Sequence, residues 1–137
     1  MSSLVNVYWD SKLPIYEISH LKLQNEGIKS LLIDVDGTLL SRQSSVIPTN
    51  VKKWIKESKK LFSLYLISNN PSKERIRRIA MELDIRYKSN AQKPRKKITL
   101  DVIAEMNEDS KNIAIIGDRI FTDVIVGNRC NIQTILV

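Results

Sequence analysis

From residue 28 onward, short, largely apolar runs alternate with amphipathic stretches, and this alternation constrains the fold more than any other feature of the sequence. Ile28 to Val35 reads as a buried strand. "LFSLYLIS" (Leu61 to Ser68), a short piece around Ile85 to Tyr87, "NIAIIG" (Asn112 to Gly117) and the final "IQTILV" read the same way. The segments between them carry helical periodicity. Asn50 to Lys60 puts Val51, Trp54 and Ile55 on one face and Lys52, Lys53, Lys56 and Lys59 elsewhere. "NPSKERIRRIAMELD" lines one face with Ile76, Ile79, Ala80 and Leu83, with Asn70 or Ser72 as cap and Pro71 in its first turn. Further helices are predicted over Arg95 to Asn107 and near Phe121 to Asn128. Strands that alternate with helices make a parallel sheet with crossover helices. The expected fold is therefore α/β, a doubly wound three-layer sandwich with a mainly parallel sheet. Residues 1–27 read as an N-terminal extension packed on a single domain over 28–137, with Gly27 as the stop of "LPIYEISHLKLQNEG".

A chain of 137 residues suits one domain. Its single cysteine, Cys130, excludes an intrachain disulfide and reads as a small buried filler. No apolar run approaches the ~20 residues of a membrane span. "MSSLVNVYWD" lacks the pattern of a secretory signal, so a soluble, cytoplasmic protein is expected. The net charge of +7 favours an anionic partner, whether nucleic acid, anionic lipid or a phosphorylated substrate. Only Trp9 and Trp54 supply indoles, and no basic run is interleaved with aromatics, which argues against nucleic acid.

In doubly wound sheets, ligands bind outside the carboxyl ends of the strands. Polar residues collect at those ends here. Asp34 and Asp36 close the first core strand; Ser68, Asn69 and Asn70 close the second. Lys93 precedes the third long helix, and "GDRIFTD" brings Asp118 and Asp123 after the fourth strand. Carboxylates gathered at one rim repel unless a cation joins them. A hard ion such as Mg²⁺ takes oxygen ligands and shares them with a substrate phosphate. Lys93, Ser68 and the amides beyond it suit the same phosphate, and Gly37 lets the backbone approach it closely. In Asp34-Val35-Asp36 the two acids share one side of the strand while Val35 faces the core. One acid can attack phosphorus; the other can move the proton.

These residues resemble the motifs of the haloacid dehalogenase (HAD) superfamily: Asp34-Val35-Asp36-Gly37-Thr38, then Ser68, then Lys93, then the pair Asp118 and Asp123. The resemblance implies that Asp34 is a nucleophile forming an aspartyl-phosphate and Asp36 the acid/base. It implies that Thr38, Ser68, Asn69 and Lys93 bind the phosphate. Asp34, Asp36 through its carbonyl, Asp118 and Asp123 would bind or surround Mg²⁺. The gaps where the superfamily inserts cap domains are filled by the predicted helices and strands, so the chain reads as capless. "GIKSLLIDVDGTLL", "ISNNPSKERI", "AQKPRKK" and "GDRIFTDVIVGNR" are similar to the YqeG-type members of subfamily IIIA, which include the mitochondrial phosphatidylglycerophosphate phosphatases. That implies hydrolysis of phosphatidylglycerophosphate to phosphatidylglycerol. A soluble sugar phosphate or a nucleic-acid end is the alternative substrate. A receiver-like phospho-acceptor is the alternative class, although receivers carry adjacent acids rather than DxDGT. If the substrate is an anionic lipid, Arg95, Lys96 and Lys97 are expected to dock the rim on the membrane surface, ahead of the lysine-rich helix.

Overall fold

The computed structural model describes residues 9–137. In chain order the elements are β1 (Trp9–Asp10), a 3₁₀ turn (Ile15–Glu17), α1 (His20–Asn25), β2 (Ser30–Ile33), α2 (Thr49–Lys59) and β3 (Ser63–Ile67). They continue with α3 (Lys73–Leu83), β4 (Arg86–Lys88), α4 (Lys97–Met106), a 3₁₀ turn (Ser110–Asn112) and β5 (Ile113–Gly117). A π-helical turn (Ile120–Val124), α5 (Ile125–Arg129) and β6 (Gln133–Leu136) complete the chain. The six strands form one sheet in the order β1-β6-β5-β2-β3-β4, and every pairing is parallel.

The expected doubly wound architecture is present, and strand periodicity explains its two cores. Along β2, Leu31 and Ile33 face one side; Leu32 faces the other. The first side packs against Val51, Trp54 and Ile55 of α2 and Ile76, Ile79 and Ala80 of α3. The second packs against Val102 of α4, Val126 of α5 and the buried Cys130. From β2 the chain first builds outward through β3 and β4, then crosses to β5 and builds the other way. The switch point therefore lies between β2 and β5, and their carboxyl ends open the crevice.

Several local expectations shift. Ser72 alone caps α3, accepting from Arg75 N–H, and Pro71 lies before the cap rather than in the helix. The last helix begins as a π-turn at Ile120. The two-residue β1 goes unpredicted because so short a strand has no readable period; it exists by pairing with β6. Ile15, Ile18 and Leu23 are buried in the first core, while residues 1–8 of the expected N-terminal extension lie outside the described residues.

His20 packs between this N-terminal segment and α2. Its ring stacks on Trp54 at a centroid distance of 4.9 Å, and Trp54 Nε1 donates to the Ile18 carbonyl at 3.0 Å. Ser58 Oγ donates its one proton to the Trp54 carbonyl at 2.8 Å, so His20 Nε2 is the donor in the 2.7 Å contact with Ser58. Burial is the main reason that the His20 pKa lies below 6.5. The unfolded chain therefore binds more protons than the folded one as pH falls past 6.5. We expect wild type to lose stability in that range relative to His20→Phe, which keeps the stack but cannot protonate. Urea midpoints of both proteins between pH 7.5 and 5 test this, and parallel curves would count against it.

Candidate active site

Asp34 follows β2 directly, and its N–H still donates to Ile116 of β5 at 2.9 Å. The strand therefore delivers it to the switch point. Its Oδ1 accepts from Lys93 Nζ at 3.0 Å and its Oδ2 from Thr38 Oγ1 at 3.3 Å. Val35 is buried in the first core, while Asp34 and Asp36 both line one cleft of about 210 Å³. Gly37 adopts φ +84°, and a Cβ there would lie 2.3 Å from Asp118 Oδ2. The close approach that needs glycine is thus made by a carboxylate of this chain. Gly117 is equally constrained, since a Cβ there would meet the Asp123 carboxylate at 2.3 Å.

Lys93 is buried, and its ammonium has three acceptors: Asp34 Oδ1, Asp123 Oδ1 at 2.5 Å and the Ile67 carbonyl at 2.9 Å. Three acceptors match its three protons. Burial alone would lower its pKa, but Asp34 and Asp123 outweigh that and hold it above the ordinary lysine value. The Asn69 side chain, expected at the phosphate, is engaged elsewhere. Its Oδ1 accepts from Lys93 N–H at 2.7 Å and its Nδ2 donates to the Lys93 carbonyl at 2.8 Å. This two-point clamp fixes the loop that carries the ammonium. Ser68 is buried at the end of β3, its Oγ accepting from Asn70 N–H at 3.0 Å, and lines the cleft with Asn69 and Lys93.

Asp118 and Asp123 follow β5. Asp123 Oδ2 accepts from Arg119 N–H at 3.3 Å. Burial, reinforced by the neighbouring acids, pushes Asp123 up to about 7 despite its ion pair with Lys93. Asp118 is also raised, first by burial and then by the charge of Asp34. Carboxylate oxygens of Asp34, Asp118 and Asp123 all lie within 4.8 Å of one another. Asp118 Oδ1 is buried without a hydrogen-bond partner. Three hard oxygen donors, one of them orphaned, fit a divalent cation of the Mg²⁺ kind.

Residues that sequence reasoning passes over complete the cleft: Arg42, Arg119 and Thr122 also line it. Arg75 reaches Asp36 from α3, with Nη2 to Oδ1 at 2.7 Å. Its helical position reads as solvent-facing, so no local signal marks it.

Comparison with known proteins adds to this geometry. The family profile described as mitochondrial PGP phosphatase matches residues 5–137. "Probable phosphatase YqeG" of Bacillus subtilis (strain 168) is 28% identical over 123 residues, which span 90% of this chain and 72% of that protein. Among solved structures, an uncharacterised protein from Listeria monocytogenes serotype 4b superposes with TM-score 0.67 at 18% identity, over 80% of this chain and 78% of that one. YfnB of Bacillus subtilis, a candidate HAD-hydrolase solved bound to magnesium, gives 0.65 at 13% identity, over 80% and 86%. At such identities the two structures speak for the fold alone.

Proposed function

The chain belongs to the mitochondrial PGP phosphatase family and is a phosphatase of the YqeG-type HAD group, and from that premise we propose that it hydrolyses phosphatidylglycerophosphate to phosphatidylglycerol with Mg²⁺ through an aspartyl-phosphate on Asp34. The observation that carries this reading is the junction of Asp34, Asp36 and the buried Lys93 ammonium at one polar cleft. An Asp34 oxygen attacks phosphorus as the bond to the alcohol oxygen breaks, and Asp36 gives that oxygen its proton. Asp36 then takes a proton from water, the water oxygen bonds to phosphorus, and the bond to Asp34 breaks to release inorganic phosphate. Lys93 holds Asp34 in place and offsets charge on the transferred group, with Ser68 and backbone amides beside it. Thr38 steadies the second Asp34 oxygen. Asp34, Asp118 and the Asp36 carbonyl would hold Mg²⁺ with Asp123 beside them, and when bound the ion neutralises the acids and the phosphate oxygens.

Turnover with Mg²⁺ on a phosphomonoester panel tests the reading. The panel holds phosphatidylglycerophosphate, sugar phosphates, a 5′-phosphorylated oligonucleotide and p-nitrophenyl phosphate. The highest kcat/KM is expected on the lipid; a higher value on a soluble ester would overturn the lipid substrate and leave the phosphatase intact.

Asp118→Ala is expected to raise the Mg²⁺ concentration for half-maximal activity at least about tenfold. It is also expected to raise the melting temperature of the metal-free protein, because a carboxylate repelled by Asp34, with its Oδ1 buried and without a hydrogen-bond partner, leaves the cluster. An unchanged Mg²⁺ titration would remove Asp118 from the metal site.

No helix of the described residues is long and apolar enough to cross a membrane; we propose that the lipid substrate is met at the bilayer surface. Arg95, Lys96 and Lys97 are exposed two to four residues after Lys93. Lys97 pairs with Asp101 one turn along α4 at 3.5 Å, and in α2 Lys52 and Lys59 pair with Glu82 and Asp84 of the neighbouring α3 segment. Each basic residue near an anionic surface contributes about 1 kcal/mol of attraction. Changing Arg95, Lys96 and Lys97 together to glutamine should weaken sedimentation with anionic vesicles by roughly tenfold or more. Hydrolysis of p-nitrophenyl phosphate should stay nearly the same. Binding indifferent to the triple change would sink the docking role.

A further inference from the structure

Arg75 stands on the first turn of α3, 39 residues from the acid it grips. Its Nε and Nη2 both donate to Asp36 Oδ1, at 3.1 and 2.7 Å. The Asn70 amide donates to the other oxygen, Oδ2, at 2.9 Å. The guanidinium also donates Nη1 to the Ser44 carbonyl at 2.7 Å and Nη2 to the Ser41 carbonyl at 3.2 Å. Those carbonyls flank Arg42, which lines the cleft. One side chain thus joins the acid to the loop that borders the site.

A carboxylate oxygen offers two lone-pair sites. Two N–H groups fill both sites of Oδ1, while Oδ2 has one partner and keeps one site. We propose that Arg75 is a positioning residue: it saturates Oδ1 and thereby makes Oδ2 the oxygen through which Asp36 hands a proton to the departing alcohol and takes one from water. The inference rests on the acid/base role proposed above for Asp36. Arginine suits this role because its planar fork holds two donors in fixed directions, which a single ammonium does not.

The test compares leaving groups. p-Nitrophenolate departs as a stable anion, whereas an alkoxide needs its proton, so only the alkyl ester depends on well-aimed acid catalysis. The measure is kcat/KM, which covers the steps up to departure of the alcohol. It is taken at saturating Mg²⁺ for p-nitrophenyl phosphate and for whichever alkyl phosphate of the panel wild type cleaves fastest. Arg75→Ala is expected to lower both values, with the alkyl ester losing at least about tenfold more. Arg75→Lys, which keeps the charge but not the fork, should show the same split in smaller measure, and it carries the comparison if the alanine variant does not fold. Equal losses on both esters, or no loss, overturn the inference. Asp36→Asn separates the two levels of the argument. If it shows the split and the Arg75 variants do not, only the positioning role falls. If it shows no split, the acid/base reading of Asp36 falls, and the positioning role with it.

Discussion

Asp34→Asn is expected to lower turnover by on the order of 10³-fold or more while leaving the protein folded. The substitution keeps the side chain's shape and an oxygen for the Lys93 ammonium, now 3.0 Å from Oδ1. It removes the negative charge that makes the oxygen a nucleophile. The nearby acids are committed otherwise: Asp123 is tied to Lys93, and Asp36, with Oδ1 filled by Arg75, is the proposed acid/base. Acid-quenched wild type should carry a covalently bound phosphoryl group during turnover, and the variant none. Turnover within tenfold of wild type, in a protein with an unchanged circular dichroism spectrum, would show that Asp34 is not the attacking group.

Lys93→Met is expected to affect both activity and stability. The methionine fills a similar volume but leaves Asp34 and Asp123 without the cation that joins them. Breaking a buried ion pair by removing one partner costs about 3 to 5 kcal/mol. For a domain of this size that corresponds to a fall in melting temperature of roughly 10 °C or more. Because the acids relieve their repulsion by binding protons or Mg²⁺, the deficit should shrink at low pH and at high Mg²⁺. Adding Asp123→Asn to Lys93→Met should restore much of the stability and none of the activity. A single variant as stable as wild type in metal-free buffer at pH 7.5 would mean that the ammonium is not what holds these acids together.

The fold is legible because the central strands β2 and β5 carry apolar runs that lead straight into an aspartate, Asp34 and Asp118. Leu31 to Ile33 and Ile113 to Gly117 are buried on both faces, and parallel central strands read that way in sequence. Helix boundaries are read to within two residues wherever a periodic face is clear, as for α2 and α4. They blur where the signal is weak. Pro71 is drawn into a helix that begins after Ser72, and the π-turn at Ile120 mimics an ordinary helix start because both bring a short apolar periodicity. The site's acids and Lys93 are legible for a related reason: each sits at a strand end or beside a turn, where a core-forming chain has no use of its own for a charge.

Sequence alone thus determined the layered parallel sheet and which junctions carry polar chemistry, since both follow from periodicities of two and 3.6 residues within single segments. Tertiary structure alone decided how those groups are held. Asn69 clamps Lys93 across 24 residues, Arg75 grips Asp36 across 39, and β1 closes on β6 at the far edge of the sheet. Such contacts depend on the distance between packed elements and on where a long side chain comes to rest. The physical reason is that a hydrogen bond is set to within a few tenths of an ångström, whereas a sequence pattern specifies only the face on which a residue lies.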